Sequence, residues 1–433
     1  MINADYTTLQ TPLRTIKGKV ELAGGSTPFS HTDALKSFKI ERLSESGKFF
    51  GFGISQKLTM ELLDKERVIE LADGAALVPY LTAGAEYDTT AFETTFYIKA
   101  NETKRDEKTN GLTVVAYDAL EPAAAHTFSE LGLTTNYDYY TIASAICNNL
   151  GLANVSIVGD IYNNFSDEKA LLADGANYDG TETLREVLDD IAEATQTIYY
   201  VYHDELTFKR LSTTNVVLTI SKADYFEADS GEPVALAAIC SATELGDNIT
   251  ATGTATGVTQ YVRDNGLWDL RDNRAELVEA AMAAVDGLTI QPFNCSWRGN
   301  FYLEIGDKIE IEAKDGSYIS SYVLNDVIEY NGALKQNTEW QYTKQEETAT
   351  NPSTLGEVLK QTYAKVDKAN KKIDLVAYES SANNSAIAQL NIDIGKINGS
   401  VESVQKQVED GLDSANESIV ELTNKVNATM TAD

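Results

Sequence analysis

The sequence predicts a mainly β protein with an α+β insertion, followed by a C-terminal stalk that needs partner chains. Three observations predict this. Short alternating or apolar runs, punctuated by turn residues, occupy residues 1–119 and return over 212–345. Between them, residues 120–211 change to a helical period. Beyond Asn351-Pro352 an apolar heptad takes over.

The first segment, 1–119, reads as a β-barrel domain. TIKGKVEL, SFKIERL, FFGFGISQKLTMELL, RVIEL, AALVPYL, FETTFYIKA and GLTVVAYD are the expected strands. Gly24-Gly25, Asp73-Gly74 and Asn110-Gly111 supply turn chemistry between them. Several short strands at this spacing suit a barrel or a sandwich. In 120–211, Ile142, Ala145, Ile146 and Leu150 recur at helical spacing, as do Leu184, Val187, Leu188 and Ile191. VSIV follows the first helix and TIYYVYHDELTFKRL the second, a weak duplication of a helix-then-strand unit forming a small α+β domain.

Residues 212–345 read as a second β-barrel domain with one helix, NRAELVEAAMAAVDG, which Gly287 stops. Its expected strands include NVVLTI, ALAAICSA, NITATGTA, GVTQYV, LTIQPFNCSW and NTEWQY. From Lys308 to Ala313 apolar and charged residues alternate strictly, giving a strand with one dry and one wet face. Asp315-Gly316 then turns the chain into a return strand, Tyr318 to Tyr330.

Residues 346–433 form the linker and trimerising stalk. Leu359, Thr362, Val366, Ala369, Ile373, Val376, Ser380, Asn383, Ile387, Leu390, Ile394, Ile397, Val401, Val404 and Val408 step by three and four without error. One extra step of four shifts the register to Leu412, Ala415, Ile419, Leu422 and Val426, a stutter that locally unwinds a coiled coil. β-Branched residues at both core positions between Ile387 and Val408 favour three strands over two. Gly395 and Gly399 weaken this stretch as a helix, so a fibrous β segment is the alternative to a coiled coil.

Charge narrows the function. Sixty-six acidic residues against 35 basic ones leave a formal net charge of −31, which argues against nucleic-acid binding and against docking on anionic lipid. The N-terminal residues contain no signal-length apolar core, and no 18-residue apolar run occurs. Cys147, Cys240 and Cys295 lie far apart in apolar surroundings, as buried free thiols made in a reducing cytoplasm would.

No chemistry-bearing constellation emerges, so no catalytic, cofactor-binding or metal-ligating residue is expected. His31, His126 and His203 are isolated, and no zinc, nucleophile-elbow or Cys–His pattern occurs. Gly51-Phe52-Gly53 precedes a strand, so it reads as a bend and not a phosphate cradle. Asn177-Tyr178-Asp179-Gly180 with Glu186 matches the second half of a calcium loop, but Gly175 stands at the first ligand position. A capping box of Thr183 and Glu186 uses the same residues better. Asp189-Asp190 reads as a solvated helix face. Trp268 suits an interface anchor and a self-packed loop equally.

The order of parts resembles the baseplate hub, or tail-associated tail-tip, proteins of tailed bacteriophages and related particles, over about residues 10–345. Three stretches carry it: VVAYDAL at Val114–Leu120, TLREVLDDIAEATQTIYYVYHDELTFKRL, and the Leu-x-x-Gly-Asp-x-Ile core at Leu303–Ile309. In that family a glycine usually follows the helix and another sits in the hairpin turn; here Gln196 and Glu205 stand instead. The resemblance implies two tail-tube-like barrels per chain and a homotrimer that adapts sixfold to threefold symmetry. It implies a cap on the tail tube that opens for DNA ejection. Implied partners are a distal tail or tail-tube protein, the tape measure protein, and receptor-binding or spike proteins. DNA would pass through the lumen without specific binding, with no membrane anchor and no cofactor. The implied location is the virion tail tip, after synthesis in the host bacterial cytoplasm. Two alternatives are a host cell-surface binding fibre and the non-catalytic N-terminal part of a cell-wall lysin.

Overall fold

The alternation read from the sequence becomes strands through most of the chain. The computed structural model describes residues 15–340 except 23–28, 31–33, 45–47, 67–68, 84–93, 107, 134–136, 160, 167–168, 171–177, 179, 181, 243–247, 264 and 269–270. The stalk, including its core positions from Ile373 to Val426, lies outside the described residues.

The first segment carries β1 (Ile16–Leu22), β2 (Phe29–Ser30), β3 (Leu35–Leu43), β4 (Phe52–Leu63), β5 (Ala76–Ala83), β6 (Phe96–Ile98), β7 (Lys104–Asp106) and β8 (Gly111–Tyr117). The insertion carries β9 (Tyr137–Asp138), α1 (Tyr139–Asn149), β10 (Val155–Val158), α2 (Tyr162–Ser166), β11 (Lys169–Ala170), α3 (Leu184–Thr195), β12 (Ile198–Tyr202) and β13 (Glu205–Lys209). The last segment begins with β14 (Val216–Ile220), β15 (Tyr225–Ser230), β16 (Val234–Ala242), β17 (Asn248–Thr252), β18 (Val258–Arg263) and α4 (Arg274–Val285). It ends with β19 (Thr289–Ile290), β20 (Phe293–Trp297), β21 (Lys308–Glu312), β22 (Tyr318–Tyr322), β23 (Asn325–Tyr330) and β24 (Leu334–Trp340).

The fold is mainly β, and one pairing decides its form. β23 runs antiparallel to β3, with Ile328 opposite Ile40 and Asp326 opposite Arg42. The first and last segments therefore share one sheet, ordered β15-β20-β24-β23-β3-β4-β8-β6-β5-β1-β2. Among the described residues these ladders do not close a barrel: the path runs from β15 to β2. The remaining strands of the last segment form a sheet β14-β21-β22 and a second one in which β16 lies between β17 and β18. In the insertion, β10 lies parallel to β13 while β12 and β13 form a hairpin, so the two helix-then-strand units meet at β13.

The two faces of the long sheet differ sharply. Cross-strand neighbours share a face. One row passes from Glu227 through Ser296, Asn337, Val327, Glu41 and Lys57 to Tyr117 and Tyr97. A parallel row joins Lys335, Glu329, Lys39 and Thr59. The opposite face carries Ile328, Ile40, Leu58 and Ala116, all fully buried. Phe301, Tyr330 and Leu334 from the last segment share an apolar core with strands of the first.

Three expectations change. RVIEL is not a strand where it is described: the Ile69 amide donates to Asp64 at 3.3 Å and its carbonyl accepts from Arg105 at 3.1 Å, so side chains take the groups a ladder would use. The return strand Tyr318–Tyr330 is two strands. Val323 donates to the Asp307 carbonyl at 2.9 Å and accepts from Gly306 at 2.7 Å, and there the chain leaves β21 for β24 and β3. β15 was not anticipated, because as an edge strand it exposes Phe226, Glu227 and Asp229 and carries no clean alternation. Asp315-Gly316 is the expected turn, with Gly316 at φ +86°. The three cysteines are buried free thiols. Trp268 is 1% exposed, so it is a core residue and not an interface anchor.

Candidate functional site: a three-part junction

All three stretches that carry the family resemblance converge on the β12–β13 hairpin. The hairpin is delivered by α3, whose N-terminus is the expected capping box: the Thr183 amide donates to Glu186 at 2.8 Å, and the Glu186 amide to Thr183 Oγ1 at 3.2 Å. Glu186 is thereby committed to a cap; Asn177 and Asp179 of the calcium-like stretch lie outside the described residues. At the other end Gln196 adopts φ +52°, the left-handed conformation glycine usually supplies. Its side-chain amide donates to the carbonyls of Glu193 at 3.1 Å and Ala194 at 2.8 Å, which holds the strained residue in place.

The hairpin turn is formed by His203 and Asp204, at φ +49° and +58°, and not by Glu205. Two positive φ values match a type I′ turn. The Asp204 carboxylate accepts from the Thr95 amide and hydroxyl, each at 2.8 Å, tying the tip to the first segment.

β12 pairs in parallel with the start of β4, Ile198 opposite Phe52. Gly51 and Gly53 make this close approach possible. A Cβ on Gly53 would sit 2.3 Å from the Tyr199 ring, and the Gly51 amide donates to Thr197 at 2.8 Å. Farther along β4, Gln56 Nε2 donates to the Val201 carbonyl.

Asp118, from the first motif, lies behind this contact. It accepts from Ser55 Oγ at 2.8 Å, the Gln56 amide at 2.9 Å and the Leu120 amide at 3.2 Å. Burial pushes its carboxyl up to about 7, against those donors and the Arg185 charge. The folded state therefore holds a proton that the unfolded chain releases near 3.8, and stability falls as pH rises between these values. From pH 5 to 7 this loss amounts to about 2–3 kcal/mol. Asp118→Asn should abolish it, so thermal melts should show the variant-minus-wild-type difference rising toward pH 7. A difference independent of pH would overturn the assignment.

In the third motif, Gly306 takes φ +77°, and a Cβ there would sit 3.0 Å from Ile198 Cδ1. Asp307 accepts Lys209 Nζ at 2.7 Å and the Glu304 amide at 3.0 Å. Arg42 completes the junction, donating to the Leu303 carbonyl at 3.2 Å and to Asp326 through Nε at 3.1 Å. Its Nη2 also pairs with Asp326.

Asp189-Asp190 is not a solvated face. Asp189 accepts from Tyr199 Oη at 2.8 Å, and Asp190 from Tyr178 Oη at 3.1 Å and the Gly266 amide at 3.0 Å. Both are half-buried brackets, because α3 lies between the hairpin and the last segment. Among the described residues no group of three or more His, Cys, Asp or Glu is placed to hold a metal ion. Nor is any described helix long and apolar enough to cross a membrane.

Solved structures similar to this chain are phage tail and baseplate proteins. A 43 kDa tail protein of prophage MuSo2 from Shewanella oneidensis is 11% identical over 76% of this chain and 97% of its own, at a TM-score of 0.49. A tail protein from Neisseria meningitidis is 9% identical over 75% of this chain and 96% of its own, also at 0.49. Prophage tail protein gp18 from Listeria monocytogenes is 12% identical over 81% of this chain and 99% of its own, at 0.45. No protein-family profile and no curated protein matches the sequence. What the chain does must be read from its own residues.

Proposed function

We propose that this chain is a structural hub of a phage tail tip, in which three copies surround a central passage. The observation that carries the reading is the sheet shared by the first and last segments, one face of which carries Glu227, Ser296, Asn337, Glu329, Lys39 and Glu41 across the β23–β3 pairing. Such a face suits the wall of a water-filled channel. Several of its cations are neutralised locally: Lys39 pairs with Glu41 at 2.9 Å and Lys19 with Glu21 at 2.6 Å. Lys57 lies 5.7 Å from the centre of the Tyr117 ring, within the field of Glu41 and Glu102. A passing polyanion meets few free positive charges there and gains little from counterion release.

In this reading 1–119 and 212–345 each contribute one tail-tube-like barrel position, closed by neighbouring copies, so three chains present six. Residues 120–211 brace the two, and 346–433 hold the copies together. The chain is a wall and not an enzyme. Its partners are the distal tail or tail-tube protein and the tape measure protein, and opening the ring releases DNA.

Imaging of tail particles carrying an antibody label on this chain tests the reading. Label on the tail axis at the distal end is expected, and label on peripheral fibres would overturn it. Light scattering on the full chain should give three copies. Replacing Ile394 and Ile397 together with Asn should shift it toward monomer, because buried amides there lack partners. A stable monomer or dimer of the unaltered chain at micromolar concentration would refute the trimer. Mobility-shift tests at low salt should show no retention of duplex DNA.

A further inference from the structure

One contact in the junction sets an amine against a carboxyl, with the groups a condensation needs around them. Lys209 Nζ lies 2.7 Å from Asp307 Oδ1. The other oxygen, Oδ2, accepts the Glu304 amide at 3.0 Å, so a backbone N–H polarises the carboxyl that the amine faces. The Glu304 carboxylate stands 3.9 Å from the same Nζ.

Both ends of the contact are held. The Lys209 backbone is fixed in β13, opposite Val158 of β10 and Ile198 of β12. Asp307 sits in a turn: its amide donates to the Glu304 carbonyl at 3.2 Å, and its own carbonyl accepts from Val323 at 2.9 Å. Gly306 leaves room for the lysine stem, since a Cβ there would lie 3.3 Å from Lys209 Cδ. The Lys209 and Asp307 side chains are each 11% exposed, and that of Glu304 is 33% exposed. As ions the first two are kept from water at a cost that a neutral amide would not carry. Reacting groups held in contact need no bimolecular encounter, which raises the rate by many orders of magnitude.

We propose that Lys209 and Asp307 condense into an isopeptide bond, with Glu304 carrying the proton. A proton passes from the ammonium to Oδ1, leaving a neutral amine and a carboxylic acid. Nζ then adds to Cγ, which forms the N–C bond and places the negative charge on Oδ2, where the Glu304 amide meets it. The Glu304 carboxylate takes a proton from the bonded nitrogen and delivers it to the Oδ1 hydroxyl. The C–Oδ1 bond breaks, water leaves, and Glu304 returns to its starting state. No oxidant, reductant or cofactor enters. Burial holds the Glu304 carboxyl above its ordinary range, against the charge of Lys209, so it accepts a proton more readily than a solvated glutamate. The bond joins the insertion to the last segment across 98 residues. A covalent loop of that length restricts the unfolded chain as a disulfide does, and no reductant opens it.

Intact mass spectrometry tests this on the full chain, purified and kept folded for several days. The chain should be lighter than its sequence by the mass of one water, and proteolysis should yield a branched peptide joining Lys209 to Asp307. Lys209→Arg should carry the full mass, and Glu304→Gln should link about 100-fold more slowly. An unaltered chain of full mass would overturn the proposal. So would a loss of water that survives Lys209→Arg, which would mark cyclisation at an Asp-Gly turn such as Asp315-Gly316. Glu304→Gln linking at the wild-type rate would overturn the role of Glu304. The branched peptide is read on the unaltered chain, so a variant that fails to fold leaves the test intact.

Discussion

Asp326→Ala is expected to lower folding stability by about 3–5 kcal/mol, because it strands a buried guanidinium without its counter-ion. The Arg42 and Asp326 side chains are 4% and 0% exposed. Asp326 also accepts from Gln336 and Thr338, so the substitution leaves two further donors facing a void. The pair spans strands from opposite ends of the described chain, and its loss should be felt across both apolar cores. Denaturant titration should show the midpoint falling with the slope unchanged, as for a cooperative fold of the same surface. Replacing both partners, Arg42→Met with Asp326→Leu, should recover only part of the loss, since an apolar pair removes both ionic desolvation costs but leaves the Gln336 and Thr338 donors and the Leu303 carbonyl unmet. A single-variant loss below about 1 kcal/mol would mean that water reaches Arg42, and the sheet junction would not be sealed as described.

Gly51→Ala is the second large effect. Gly51 sits at φ +80°, where a side chain is strained, and its added Cβ would fall 2.2 Å from Glu193 Cγ. Glu193 has little room to retreat: its side chain is 6% exposed, lies 3.7 Å from Lys48 Nζ and accepts from Asn265 at 3.1 Å. Strain and overpacking each contribute about 1–3 kcal/mol, so the sum is about 2–6 kcal/mol. Gly74→Ala is the matched control. Its φ is +72°, but nothing lies within 4 Å of the added Cβ, so only the strain remains. Melts showing equal losses for the two variants would remove the packing of Glu193 of α3 against Gly51 as the reason for the glycine.

Much of the junction's chemistry was visible locally. The Thr183–Glu186 box, the Gly287 stop and the Asp315-Gly316 turn all appear where the sequence places them. Each depends on contacts within a few residues, and such contacts leave a signature at a fixed spacing. The bend at Gly51-Phe52-Gly53 was legible too, but its cause was not: the ring and carboxylate side chain that demand glycine come from Tyr199 and Glu193. The glycine-like turn after Tyr202 was misplaced by one or two residues, because His203 and Asp204 adopt positive φ under tertiary constraint from Thr95.

A further signal stood in the sequence and was passed over. Arg42 follows Phe38 and Ile40 on the core-facing positions of β3, and Asp326 precedes Ile328 and Tyr330 on those of β23. Opposite charges at apolar registers are rarely buried unless paired. Each anomaly alone says only that a partner exists.

By itself the sequence determined the mainly β class, the helix and most strand positions, the buried thiols and the acidic balance. These follow from side-chain period and composition, which act locally or in sum. Only the tertiary structure decided that β23 joins β3 and that Asp189 and Asp190 are brackets. It also decided that Trp268 is core and that three separate motifs converge on one hairpin. Those outcomes rest on pairs as far apart as Arg42 and Asp326, separated by 284 residues. No periodicity links such positions; what selects them is the joint burial of two sheet faces and the need to satisfy every charge carried inside.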